Sequence, residues 1–150
     1  MGPSPVDRGK PGSKHHLITD AAGLPLAVIL TGANRNDVTQ LVPLIEAIPK
    51  IRGTRGRPAQ RPRRVYADRG YDHDSHRVLV RALGITPLIA RRKTKHGSGL
   101  GQKRWYVERS FAWLHTFKRL RIRYERRADI HEALISVACS LICLRQLILN

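Results

Sequence analysis

Acids are scarce in this chain of 150 residues: 11 Asp and Glu stand against 28 Lys and Arg, for a formal charge of +17. An excess of that size works against compaction through self-repulsion and calls for a polyanionic partner. Nucleic acid is the leading reading. An anionic membrane surface fits less well, because no basic amphipathic helix with a clean apolar face dominates. A solvated basic protein with no fixed partner is the plain alternative. Cysteine is nearly absent: Cys139 and Cys143, four apart in an apolar segment, read as reduced core residues on one helix face. His15, His16, His73, His76 and His96 form no HxxxH or HxH pairing with Cys or acid, so zinc has no ligand set. No glycine-rich loop ends in GK[ST], and no Ser/His/Asp triad has a signature. The opening "MGPSPVDRGKPG" lacks the apolar core of a signal peptide. The longest apolar run, residues 133–144, holds 12 residues including Ser136 and Ser140, too short to span a bilayer. A soluble, cytoplasmic protein is expected.

What is present suggests one α/β domain, since 41% of the residues are hydrophobic and the length is that of a single core. Residues 1–13, rich in Pro, Gly and Ser, are expected to be irregular, and residues 14–150 to form the domain. "KHHLIT" and "LAVILT" flank "DAAGLP" and predict an antiparallel hairpin whose second strand is interior. Leu41, Leu44, Ile45 and Ile48 recur at helical spacing, with Asp37 or Thr39 as cap and Pro43 tolerable only near the helix start. "IRGTRGRPAQRPRR" carries six arginines in 14 residues and predicts a mobile basic loop. "VYA" predicts a short strand ending at Asp68, "HDSHRVLVRALG" a helix closed by Gly84, and "ITPLIA" another strand. "RRKTKHGSGLGQKR" is a second basic loop. Residues 105–126 read as one helix with Val107, Phe111, Leu114 and Phe117 along a stripe, and residues 131–149 as a nearly all-apolar helix packed on the sheet. There are no internal repeats. The element order implies a layered α/β fold with a mixed sheet.

Three aspartates fall within seven positions of "DRGYDHD". Asp68 ends a strand and precedes Arg69 and Gly70, where open α/β sheets place their sites. Asp72 and Asp74 read as helix N-terminal residues favoured by the dipole. Asp20 belongs to the hairpin turn, and Asp37 to a cap. Glu108 shares a helix face with Arg104, four before it, and His115, seven after it. Its plain reading is a surface ion pair with Arg104, of little energetic value. Its sharper reading is a carboxylate that meets one at a strand end, the two holding Mg²⁺ through hard oxygens for phosphoryl transfer.

The blocks "GSKHHLITDAAGLPLAVILTGANRND", "YADRGYD", "ITPLIARR" and "GSGLGQKRWYVERSFAWLHTFKRLRIRYERR" together resemble bacterial insertion-sequence transposases of the DDE type, in the group containing the fourth and fifth insertion-sequence families. The resemblance runs through nearly the whole chain and rests on several ordered blocks. It implies an RNase H-like mixed sheet with flanking helices. It also implies Mg²⁺-dependent cleavage and strand transfer at the ends of a mobile element, with Mn²⁺ as a substitute. The second acid of the family maps onto Asp68, the third onto Glu108, and the Arg four before that Glu onto Arg104. Many relatives place a Tyr three before that Arg and a Lys or Arg seven after the Glu; here Gly101 and His115 stand there. The first acid of the family lies on a first strand that this chain does not match, and Asp7 precedes no strand-like run. The expectation is therefore the C-terminal part of a transposase, lacking its first strand and first metal ligand and inactive alone.

On that reading Asp68 and Glu108 are catalytic and metal-binding. Phosphates fall to Arg52, Arg55, Arg57, Arg61, Arg63, Arg64, Arg91, Arg92, Lys93, Lys95, Lys103 and Arg104. His115 would touch DNA. Trp105 and Trp113 are core residues or stack on a flipped base. The partners would be the element's terminal repeats and its target, bound by an oligomer at the nucleoid. The rival is a non-catalytic DNA-binding remnant or regulator of transposition, which needs only the basic loops. A ribosomal-type RNA-binding protein fits the charge but not the acid-bearing blocks.

Overall fold

The computed structural model describes residues 1–6, 8–53, 55–94 and 101–149, with side chains of the last stretch from residue 105 onward. Asp7, Lys95 and His96 lie outside the described residues, as do the side chains of Lys103 and Arg104. The chain is mixed α/β and divides into two compact units.

The first unit comprises Met1–Arg35 and Tyr106–Asn150. Its sheet is antiparallel, in the order β1 (Gly2–Pro3), β2 (Pro11–Thr19), β3 (Pro25–Gly32). The β2–β3 hairpin forms as the alternation predicts, with Leu17 opposite Val28 and a register shift at Ile18/Thr19. Its turn is built by Asp20, whose Oδ1 accepts from the N–H groups of Ala22 and Leu24, both at 2.8 Å. Gly23 has φ +80°, and a Cβ there would meet the Tyr106 carbonyl oxygen at 2.9 Å, so only glycine fits. The segment expected to be irregular, residues 1–13, carries pairing at both ends, because Gly2 and Pro3 lie opposite Gly12 and Pro11.

Helix α3 (Gly101–His115) is shorter than the single helix expected over 105–126. The Thr116 hydroxyl bonds back to the Trp113 carbonyl at 2.7 Å, and Phe117 is extended at φ −79°, ψ 107°. That back-bonding ends the helix, and a four-residue helix, α4 (Lys118–Arg121), follows before the chain extends at Ile122. Helix α5 (Ala128–Leu149) starts three residues earlier than expected. Its Ile135, Ala138 and Ile142 recur at spacings of three and four and join Leu114 and Leu120 in the core of this unit. Leu17, Val28, Leu30, Phe111, Trp113, Phe117 and Cys139 pack around them. Burying each large aliphatic here contributes about 1.5–3 kcal/mol. The opposite side of α5 leaves Val137, Leu141 and Leu144 exposed. At 22 residues the helix is long and apolar enough by length and composition to cross a bilayer, which corrects the estimate drawn from the 12-residue run. The two serines that break that run sit inside the helix and bond back to carbonyls four residues earlier.

The second unit is Asn36–Trp105. Asn36, rather than Asp37 or Thr39, caps the 3₁₀ turn Asp37–Gln40, accepting from the Val38 N–H at 3.3 Å. Helix α1 (Leu41–Glu46) follows, and Pro43 falls in its first turn, where no N–H is needed. Strand β4 (Arg64–Ala67), helix α2 (Asp74–Ala82) and strand β5 (Thr86–Ile89) form a βαβ unit, with β4 and β5 parallel. Gly84 closes α2 at φ +78°. Val38, Leu41, Leu44 and Ile45 are buried in this unit, as are Val65, Val80, Ile85 and Ile89. The basic loop is more ordered than expected: Ile51 and Ala59 exchange both backbone hydrogen bonds, at 2.8 and 2.9 Å, with Gly56 at φ +96° between them.

The described strands thus make two sheets, one antiparallel and one parallel, where a single mixed sheet was expected. Alternation and run length set the strands, but which strand pairs with which is decided by long-range hydrogen bonding.

Candidate functional site

Asp68 stands directly after β4, at the C-terminal end of a parallel strand. Its backbone is extended (φ −66°, ψ 161°), and its Oδ1 accepts from the Arg69 N–H at 2.6 Å, capping the 3₁₀ turn Arg69–Tyr71. The side chain is exposed, as a group that meets an external ligand must be. Tyr71 lies beneath. Its hydroxyl is pushed up to about 12, first by burial and then by the nearby carboxylates of Asp37 and Asp68. Asp37, read from sequence only as a cap, therefore shares this corner with Asp68.

Asp72 does not serve the dipole of α2. Its side chain and that of Arg77 are each 6% exposed, and they form a buried ion pair at 2.6 Å. Both Arg77 Nε and Nη2 donate to Asp72 Oδ1, and Arg77 Nη2 also donates to the Ile89 carbonyl at 2.7 Å. The second oxygen, Oδ2, accepts from the Arg92 N–H at 2.7 Å. These contacts hold the Asp72 carboxyl below the usual carboxylate range, the Arg92 N–H contributing most. Asp74 is the first residue of α2, as expected, and pairs with Arg91.

The basic residues proposed for phosphate contact divide by this geometry. Arg52, Arg55, Arg57, Arg63 and Arg64 are exposed. Arg61 is also exposed and reaches the Leu83 carbonyl at 3.4 Å. Arg92 places its guanidinium on the carbonyls of Arg69 (3.2 Å) and Gly70 (2.7 Å). Lys93 is exposed in the left-handed region at φ +60°.

Glu108 belongs to the first unit, on an exposed part of α3. The helix is anchored beside it: the hydroxyl of Ser110, fully buried, shares its one proton between the Gly23 and Tyr106 carbonyls, and Arg109 donates to the Ala22 carbonyl. The Arg109 guanidinium also lies 4.9 Å from the centre of the Trp113 ring. Trp113 packs on the core, whereas Trp105 is exposed. His115 is exposed at the end of α3. Among the described residues no group of three His, Cys, Asp or Glu is arranged to hold a metal ion.

Residues 3–143 match the family model described as Transposase DDE domain. The chain belongs to the DDE transposase family. It is 68% identical over 142 residues to a candidate transposase for insertion sequence element IS402 from Burkholderia cepacia, covering 95% of this chain and 67% of that protein. It is 33% identical over 129 residues to a transposase for insertion sequence element IS1106 from Neisseria meningitidis serogroup B, covering 79% of this chain and 40% of that one. The chain thus spans two thirds and two fifths of these transposases. No solved structure matches. DDE transposase domains act on DNA and generally use divalent metal ions.

Sequence reasoning missed the Asp72–Arg77–Arg92 network, because its members meet only when the ends of β4 and β5 are brought side by side. It also missed a second buried cluster: His15 and His131, 116 positions apart, approach Nε2 to Nε2 at 2.9 Å with stacked rings. No short-range histidine spacing signals that pair.

Proposed function

We propose that the chain is the C-terminal part of the catalytic domain of an insertion-sequence transposase, RNase H-like in its complete form, which cleaves and joins DNA at the element's ends. The observation that carries this is Asp68: an exposed carboxylate at the C-terminal end of a parallel strand, oriented by the Arg69 N–H. Asp68 and Glu108 would hold Mg²⁺, with Mn²⁺ as a substitute. When bound, the metal would activate the attacking hydroxyl and neutralise charge on the phosphodiester. Exposed Arg52, Arg55, Arg57, Arg61, Arg63 and Arg64 would grip phosphates flanking the reacting one. Lys93, Lys95, Lys103, Arg104 and His115 would extend that track. The family's pattern needs a third carboxylate that no acid of these 150 residues matches, so cleavage by them alone is not expected. The protein would act as an oligomer on DNA, in the cytoplasm at the nucleoid.

The test is cleavage of labelled element-end DNA by the complete transposase carrying Asp68→Asn or Glu108→Gln. Each should lower the rate by about a thousandfold or more while duplex binding persists. Wild-type rates in both would refute the assignment. The second reading, a DNA-binding regulator without catalysis, draws on the exposed arginines alone. It would be favoured by salt-dependent binding with no Mg²⁺-dependent cleavage in the complete protein.

A further inference from the structure

We propose that Asp72, Arg77 and Arg92 are positioning residues that fix the turn carrying Asp68, so that its carboxylate is presented to a divalent cation in one orientation. The inference rests on the reading of Asp68 as a metal ligand.

The middle of the turn after β4 has little packing of its own. Gly70 is exposed, and a Cβ there would touch nothing within 4 Å. What holds it is hydrogen bonding. The Tyr71 N–H donates to the Asp68 carbonyl at 2.9 Å, and the Asp72 N–H to the Arg69 carbonyl at 3.2 Å. Arg92 then reaches across from the segment after β5, its guanidinium donating to the carbonyls of Arg69 and Gly70. These are the two residues that follow Asp68. The Arg92 backbone is itself fixed, because its N–H donates to Asp72 Oδ2. Asp72 is held in turn by Arg77, which also binds the last carbonyl of β5 at Ile89.

Three elements therefore meet at one carboxylate: the turn after β4, helix α2 through Arg77, and the end of β5 through Ile89 and Arg92. Both Asp72 oxygens are bonded, and a fully satisfied buried network is rigid in a way that a half-satisfied one is not. Supporting contacts of this kind commonly set metal affinity, and their loss costs about 10–100-fold. Arg92 suits the role because its planar fork spans two carbonyls, which a lysine ammonium cannot do with the same geometry.

The test compares the complete transposase, as wild type, with its Arg92→Ala, Arg92→Lys and Asp72→Asn variants. Amide hydrogen exchange reads the turn at Tyr71 and Asp72, with Val80 and Ile85 as internal controls for the fold. Mn²⁺ titration, followed by paramagnetic broadening of the Arg69 and Gly70 amide signals, reads the cation site. Arg92→Ala should raise exchange in the turn about tenfold, leave Val80 and Ile85 unchanged, and raise the Mn²⁺ concentration for half-broadening about tenfold. Arg92→Lys should fall between it and wild type. If Asp72→Asn unfolds the unit, the controls report it, and the Arg92 pair decides alone. Unchanged exchange in Arg92→Ala would overturn the proposal. So would faster exchange with unaltered Mn²⁺ broadening, since the network would then be structural only. No broadening in the wild-type transposase would defeat the metal reading of Asp68, and this proposal with it; unaltered variants beside a responsive wild type would defeat this proposal alone.

Discussion

A buried polar cluster in each unit invites comparison, and the two are built on opposite plans. In the second unit, Asp72 and Arg77 are an ion pair whose carboxylate oxygens are both bonded. In the first, His131 is fully buried between His15, at 2.9 Å, and Glu125, whose Oε2 lies 3.5 Å from His131 Nδ1. Those last two atoms have no hydrogen-bond partner, although Arg119 reaches the other Glu125 oxygen at 2.9 Å. The His15–His131 contact needs one donor and one acceptor nitrogen, so it exists only while one ring is neutral. A charged, saturated cluster holds its geometry over most of the pH range. One whose His15–His131 contact requires a neutral ring yields to a proton.

The sharpest way to break this contrast is to remove one member of the ion pair. Arg77→Met strands the Asp72 charge in the interior and should cost about 3–5 kcal/mol in urea unfolding. A loss under about 1 kcal/mol would mean that the pair is solvated in solution. Next in size is Ile135→Ala, a cavity in the core of the first unit, which should cost about 2–5 kcal/mol by the same measurement.

Acid should separate the units by a smaller amount. Burial, then the charges of His131, His115, Arg123 and His16, lower His15 from the ordinary 6.5 to about 4. Between those values the unfolded chain binds the proton and the folded chain does not. Stability of the first unit therefore falls as pH drops from 6.5 to about 4, and levels off below. With screening of a partly exposed ring, the loss is on the order of 1–2 kcal/mol. Asp72 acts in the same direction but at lower pH: its depressed value adds stability above the ordinary carboxylate range, lost only as pH falls through and below it. Hydrogen exchange at pH 5 and pH 7 should show opening of the β2–β3 and α5 amides while those of β4 and β5 hold. His15→Gln should flatten the first response. The smallest effect belongs to the surface pair Arg127–Asp129, both side chains well exposed; Arg127→Ala should leave the urea midpoint essentially where it is.

Much of the local structure was readable beforehand. Alternation around "DAAGLP" located the hairpin and its Asp20 turn, and Gly84 marked the end of α2, because turns and caps depend on residues within a few positions. The breaks were less readable. The stop at Thr116 depends on one hydroxyl bonding backwards, which a stripe of apolar residues does not reveal. Asp72 was mistaken for a helix-start residue because its partners, Arg77 and the Arg92 N–H, act through burial, and burial is not local. Asp68 was legible for the opposite reason: a carboxylate at a strand end needs only the strand to be recognised.

Composition, periodicity and ordered blocks of residues were enough for the charge, most of the strands and helices, and the family to which the chain belongs. That the described strands form two sheets, that Asp72 is buried against Arg77, and that His15 meets His131 emerged with the packing. Those facts rest on contacts between residues far apart in the chain, whose desolvation and hydrogen bonding exist only after the elements have packed.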